Sequence, residues 1–483
     1  MNLSNEIVPP RIIQGGMGVG VSSWQLAKAV SQTGNLGVVS GSMLDTVLVR
    51  RLQDGDPGDH MRRALSQFPV AGAADEVLRR YFKPSGRDAG QPYDLLSMYK
   101  QRSSVARQRV TMLANFAEVW LAKEGHGGLV GINLLTKVQM PNLASLYGAM
   151  LADVDYVVMG AGIPREIPGV LDAFAEHRPA KMRFDIEGLA AGEAEYLELD
   201  PAAYWPSPDR PLARPRFVAV VSAASLAMTL ARKANGRVDG FVVEGPTAGG
   251  HNAPPRGELK LNDRGEPQYG ERDVVDLAKM REISRPFWLA GGVGSPTGLR
   301  DALAAGAAGI QVGTLFAFAN ESGLAPRIRQ DVIDAALNGT VSVFTDSQAS
   351  PTGFPFKVVE IAGQRASAAR DARVCDLGYL RIAYRTHDHR TVYRCPAEPV
   401  RTFVASGGRE ADTAARQCLC NGLTANIGQG QTRTTGVEPP LITSGDDLMA
   451  LPEFLHGRRS YSARDVIDYL LEGADAPAGT EQA

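Results

Sequence analysis

The sequence predicts an α/β protein, a (β/α)8 TIM barrel with insertions and an appended C-terminal region, and three observations carry the prediction. Apolar runs alternate with helix-period segments until eight strands are counted, most of them followed by a helix. These runs are apolar throughout, as suits parallel strands covered on both faces. Glycine-rich ends follow almost every strand. An open dinucleotide-binding sheet would instead carry one fingerprint after its first strand, and GGMGVG lacks the G-x-G-x-x-G order.

The elements follow in order. PRIIQGGMGVG runs from an apolar strand into glycines. In SSWQLAKAVSQTG, Ser22 is the expected helix cap, with Gln25 three residues on and Gly34 as the stop. LGVVSG (36–41) and GLVGINLLTK (128–137) are the next two strands. In the helix PNLASLYGAMLAD, Leu143, Leu146, Tyr147, Met150 and Leu151 recur as one apolar stripe. DYVVMGAGIP (155–164) precedes helical IPGVLDAFAEHR, RFVAVVSA (216–223) precedes SLAMTLARKAN, and DGFVVEG (239–245) leads into PTAGGHNAPPRG. DVVDLAKMREIS, the strand PFWLAGGVG (286–294), the helix TGLRDALAAGA, the strand GIQVGT (309–314) and the helix PRIRQDVIDAALNG complete the alternation.

Residues 1–340 are therefore read as the barrel. Insertions at about 45–127 and 179–215 are candidate lids; the first holds EVLRRYF and ANFAEVWLAK, the second YWPSPDRPLARP. Residues 341–483 form the appended region, with TGFPFKVV as a hairpin, four cysteines, and ADAPAGTEQA as a frayed end.

Composition narrows the function. Among 483 residues, 51 basic and 53 acidic side chains leave a net charge of -2, without the basic surplus that nucleic acid or an anionic membrane selects. The longest apolar stretch, near 217–231, is broken by Ser222, Ser225 and Thr229, and MNLSNEIVPP lacks the features of a secretory signal. The expectation is a soluble cytoplasmic protein acting on a small molecule, with its oligomeric state unassigned.

The chemistry is concentrated at the strand ends. In AGGVGSPTG, Ser295 caps a helix, Pro296 occupies its first turn, and the glycines let backbone amides approach a ligand; such a helix start attracts phosphate. QVGT places Gln311, the Gly313 amide and the Thr314 hydroxyl on the neighbouring rim, where barrel phosphate sites are frequent. The alternative is that these glycines only serve tight turns. His251 follows Gly249 and Gly250 just past a strand, and an imidazole with an ordinary pKa of about 6.5 is suited to managing one proton. His60, His126, His177 and His456 read as exposed or packing residues.

As a set, PRIIQGGMG, GINLL, EGPTAGGH, LAGGVG and IQVGT resemble the successive motifs of the nitronate monooxygenase (2-nitropropane dioxygenase) family and of the related flavin-dependent enoyl-acyl carrier protein reductases. The resemblance spans about 300 residues, interrupted by the insertions. It implies FMN in the barrel, with Gly16 and Met17 along the isoalloxazine and Asn133 near the ring. Gly249, Gly250, Gly291, Gly292, Gly313 and Thr314 would surround the phosphate, Glu244 and Gln311 would join the cofactor site, and His251 would be catalytic. The implied activity is oxidation of alkyl nitronates with O2 to carbonyl compounds and nitrite. The alternatives are an NAD(P)H-dependent enoyl-thioester reductase and a non-catalytic flavin-binding accessory subunit. Glu244 departs from the pattern, since nitronate oxidisers often show Gln there and enoyl reductases Glu. After His251 the stiff loop NAPPRG carries Arg256, which would meet an anionic substrate or lie in solvent.

YLRIAYRTHDHRTVYRC reads as a hairpin, strands 379–385 and 391–395 turning near Asp388, with His387 and His389 as turn residues. Cys375 and Cys395 would then lie near its open end, and Cys418 and Cys420 could complete four thiolates for a structural zinc. Alternatively the four are simply reduced, buried cysteines.

Overall fold

The computed structural model describes residues 8–88, 90–365 and 373–473; the frayed end expected at 474–483 lies outside them. All eight expected barrel strands form. They are β1 (Ile12–Gln14), β2 (Gly37–Ser40), β3 (Val130–Leu135), β4 (Tyr156–Gly160), β5 (Arg216–Val221), β6 (Gly240–Glu244), β7 (Phe287–Ala290) and β8 (Gly309–Val312). Each pairs in parallel with the next, and β8 pairs with β1 at Ile12↔Ile310. The ring closes between β1 and β2 through a bridge at Ile13↔Leu36, and the Gln14 side-chain carbonyl accepts the Val38 amide at 3.0 Å.

Side-chain alternation along the strands makes two cores. Ile13, Val38, Val158, Val218, Val242 and Trp288 cluster together inside the barrel, where the Trp288 indole donates to the Pro10 carbonyl at 2.7 Å. Their neighbours Ile12, Val39, Val157, Phe217, Phe241 and Phe287 belong to the larger core beneath the helices.

The helices of that outer layer are α1 (Trp24–Ser31), α2 (Val105–Lys123), α3 (Asn142–Leu151), α4 (Ile167–Ala175), α5 (Ala224–Lys233), α6 (Leu277–Glu282), α7 (Pro296–Ala304) and α8 (Pro326–Leu337). Two details differ from the sequence expectation. The cap of α1 is Ser23, whose hydroxyl accepts the Leu26 amide. Ser22 instead donates to the Gly15 carbonyl and accepts the Met17 amide, each at 2.9 Å, which pins the first glycine loop. The apolar stripe of α3 broadens to nearly every face, because α2 packs so closely that a Cβ on Gly148 would lie 2.3 Å from the Met112 carbonyl oxygen.

Between β2 and β3 the chain adds short helices at Leu44–Gln53, His60–Leu65 and Asp75–Tyr81 before α2. Between β4 and β5 it adds the antiparallel pair Ala180–Phe184 and Glu195–Leu199. Beyond α8, β9 (Val341–Asp346) pairs antiparallel with β10 (Phe356–Ile361), so TGFPFKVV supplies the connection and the second strand of its hairpin. The later hairpin forms as expected from β11 (Ile382–Arg385) and β12 (Thr391–Arg394). No described helix is long and apolar enough to cross a membrane.

Candidate active site

The strand ends converge on a cavity of about 530 Å³ at the barrel mouth, within the range of small-molecule sites. Of the residues singled out in the sequence, Gly16, Met17 and Asn133 line it on one side. Glu244, Gly249, Gly250 and His251 line it from the β6 loop, and Gly291, Gln311, Gly313 and Thr314 from β7 and β8. Gly292 stands behind that wall, where a Cβ would meet Thr247 Oγ1 at 3.0 Å.

Local geometry explains the glycines. A Cβ on Gly16 would lie 2.3 Å from Asn133 Cβ, so only glycine lets the first loop reach the β3 end. Gly291 and Gly292 adopt φ of +85° and +69°, which favours glycine and turns the chain sharply into α7. There Ser295 accepts the Gly298 amide at 3.0 Å, as a cap should.

His251 is held on two sides. Its ring packs edge-on to Phe356 at 4.9 Å and to Phe354 at 6.5 Å, while Nε2 bonds to Ser350 Oγ at 2.7 Å. Ser350 also accepts the Thr352 amide and bonds Thr352 Oγ1, so the Nε2 edge is fixed. Nδ1 is left without a protein partner among the described residues. The loop itself is stitched to the hairpin: a bridge joins His251 to Phe356, the Asn252 amide donates to the Pro355 carbonyl, and the Lys357 amide to the Gly250 carbonyl. Desolvation, reinforced by Lys137, pulls the imidazole down to about 4. The ring is therefore neutral at pH 7, an acceptor instead of the half-protonated group that its ordinary pKa suggests.

Two further ionisable groups are Glu244, which lines the cavity, and Lys137, which packs on the lining residue Phe354. Glu244 has no ion-pair partner among the described residues, and desolvation pushes its carboxyl up to about 7. Lys137 lies 3.3 Å from the Phe354 ring centroid, donates to the Thr352 carbonyl at 3.1 Å, and is lowered to about 8 by desolvation. No carboxylate pairs with it among the described residues. The sequence reading assigned no role to Lys137 or Ser350. Neither belongs to a motif, and Ser350 is 99 positions from its partner His251.

Other expectations resolve differently. Arg256 is exposed and tied to the Arg272 and Ser222 carbonyls, so it braces the loop instead of facing the cavity. His60 packs on Trp24, His177 bonds Tyr147, His126 accepts the Gly128 amide, and His456 caps a helix. For the four cysteines read as a zinc set, no group of three or more His, Cys, Asp or Glu side chains placed to hold a metal is found among the described residues. All four cysteines are free, and Cys420 turns to the cavity wall. Desolvation first, then Cys418 and nearby acids, pushes Cys375 up to about 12, and desolvation with Glu438 and Asp376 pushes Cys418 up to about 11, so these thiols keep their protons.

Fold and site together define the class: a (β/α)8-barrel protein whose rim loops gather glycines and a neutral histidine around one cavity. Residues 210–354 match the family model described as nitronate monooxygenase. The motif resemblance read from the sequence and this match point to the same family. Similar solved structures include FabK from Thermotoga maritima, at 16% identity over 96% of this chain and 92% of that one, with a TM-score of 0.46. Nitroalkane oxidase from Streptomyces ansochromogenes is 15% identical over 97% of each chain, with a TM-score of 0.46. The enoyl reductase domain of MlnA from Bacillus amyloliquefaciens is 11% identical over 96% of this chain and 94% of that one, with a TM-score of 0.48. No curated protein matches the sequence.

Proposed function

We propose that the protein is an FMN-dependent oxidoreductase that oxidises alkyl nitronates with O2 to carbonyl compounds and nitrite. The observation that carries this reading is the meeting, in one cavity, of glycine loops from β1, β6, β7 and β8 with His251. The residues present fit a flavin nucleotide. Gly16 and Asn133 both line the cavity and meet so closely that a Cβ on Gly16 would lie 2.3 Å from Asn133 Cβ, which leaves room beside them for a flat ring, and the Thr314 hydroxyl and adjacent amides suit a phosphate. FMN, when bound, supplies the two-electron redox chemistry.

The chain's own residues position and deprotonate. Lys137, a cation beside His251 without an anionic partner among the described residues, suits the negative charge of a nitronate. Neutral His251, clamped through Nε2 by Ser350, accepts a proton from a nitroalkane at Nδ1 or donates a hydrogen bond there, according to its tautomer. Phe354 and Phe356 exclude water from its face.

A second reading, an NAD(P)H-dependent enoyl-thioester reductase, is favoured by Glu244 and by the apolar wall that Leu380, Leu419 and Leu423 of the appended region add to the cavity. Anaerobic mixing separates the two. Nitronate should bleach the bound flavin under the first reading. Bleaching by NADH or NADPH, reoxidation by an enoyl thioester and no response to nitronate would replace it with the second. His251→Asn should lower kcat by about 10²–10⁴-fold with flavin still bound; unchanged turnover would instead support an accessory, non-catalytic role.

A further inference from the structure

The barrel rim leaves a gap between the β6 loop and the end of β8, and a segment far outside the barrel fills it. Thr443, Ser444 and Gly445 line the same cavity as Gly249, Gly250, Gly313 and Thr314. The Gly250 amide donates to Thr443 Oγ1 at 3.0 Å, anchoring one end. The Gly445 amide donates to Thr314 Oγ1 at 3.1 Å, and the Ser444 hydroxyl donates to the same oxygen at 3.4 Å. The apposition is close enough to need glycine on both sides. A Cβ on Gly249 would lie 2.7 Å from the Gly445 nitrogen, and one on Gly445 would lie 3.0 Å from Thr314 Oγ1.

Hydrogen-bond bookkeeping at Thr314 gives this contact a function. A hydroxyl has two lone pairs and one hydrogen. The Gly445 amide engages one lone pair and so orients the hydroxyl, leaving the Thr314 hydrogen to serve the cavity as a donor. Ser444 is 4% exposed, and its bond to Thr314 sits at the long end of bonding distance, so its single hydrogen can turn from Thr314 to a stronger acceptor nearby while the Gly445 amide keeps Thr314 oriented. Farther along the segment, the Asp447 carboxylate oxygen stands 2.9 Å from where a Cβ on Gly294 would be, closing the frame against the β7 loop. Burial, with Asp446 adding to it, pushes Asp447 up.

We infer that residues 443–445 form a phosphate-recognition element contributed by the appended region, fixing Thr314 as a donor and adding the Ser444 hydroxyl to the site of a flavin-nucleotide phosphomonoester. This rests on the FMN reading, and one comparison separates the two. Apoprotein is titrated with FMN and with riboflavin, which lacks the phosphate, and flavin fluorescence quenching gives each Kd. Wild type should prefer FMN strongly. Ser444→Ala should weaken FMN by about ten-fold, the effect of losing a hydrogen bond to a charged group, with riboflavin affinity and thermal midpoint unchanged. Thr314→Val should lose more of the same preference. If Thr314→Val loses the preference and Ser444→Ala keeps it, or if Ser444→Ala weakens both flavins equally, the inference about the segment is overturned and the phosphate site stands. If wild type binds riboflavin as tightly as FMN, the phosphate site itself falls.

Discussion

Asp45 and Glu244 are two enclosed carboxylates with opposite fates. Asp45 accepts hydrogen bonds from Tyr379 and Thr111 and lies 2.7 Å from the Arg107 guanidinium, which itself stacks on Tyr99. Burial alone would raise its pKa, but Arg107 and the hydrogen bonds outweigh it and hold the carboxyl below the usual range. Glu244 opens onto the cavity with no such partners, and desolvation carries it up to about 7. The first group is spent on architecture, joining the added helix Leu44–Gln53, α2 and the appended region. The second is left without a partner at the mouth, as is the Nδ1 edge of His251, and perturbed ionisable groups in a cleft mark where a ligand is received.

The largest test of this contrast is at the joint. Arg107→Met strands Asp45 without a cation and should cost about 3–5 kcal/mol of stability, read by urea denaturation; a loss no greater than that of a surface substitution would mean the joint is not structural. Glu244→Gln tests the other side. The folded carboxyl keeps its proton to about 7 while the unfolded one releases it near 4.5. The folded chain thus binds more protons in that window, and this group's contribution falls as pH rises through it, by up to about 1.4 kcal/mol per pH unit. Glu244→Gln should remove that slope. A stability difference independent of pH between 4.5 and 7 would show that water reaches Glu244 freely. The smallest effect belongs to Lys137→Met. Wild-type kcat/KM should show its acidic limb near 4, the value of His251. Removing the neighbouring cation should move that limb up by as much as about one pH unit, and a limb at 6.5 in both proteins would place the imidazole in water.

The barrel was legible because each strand is an apolar run that reaches both cores, and the rim because glycines cluster where strands end. Local patterns also erred locally. With two adjacent serines, pattern could not choose which one turned toward the helix amides, and Ser22 went to the glycine loop instead. Ser350, Lys137 and residues 443–445 left no signature, since each meets the site through tertiary contacts across distant stretches of chain.

The backbone stitching of Gly250, His251 and Asn252 to β10 has a reach beyond the pocket. The loop that aims the imidazole is in effect an extra half-strand of the β9–β10 ribbon, so the two cannot shift independently. Selection or engineering acting on that outlying ribbon, remote from any reacting atom, would retune proton handling as surely as a change inside the mouth.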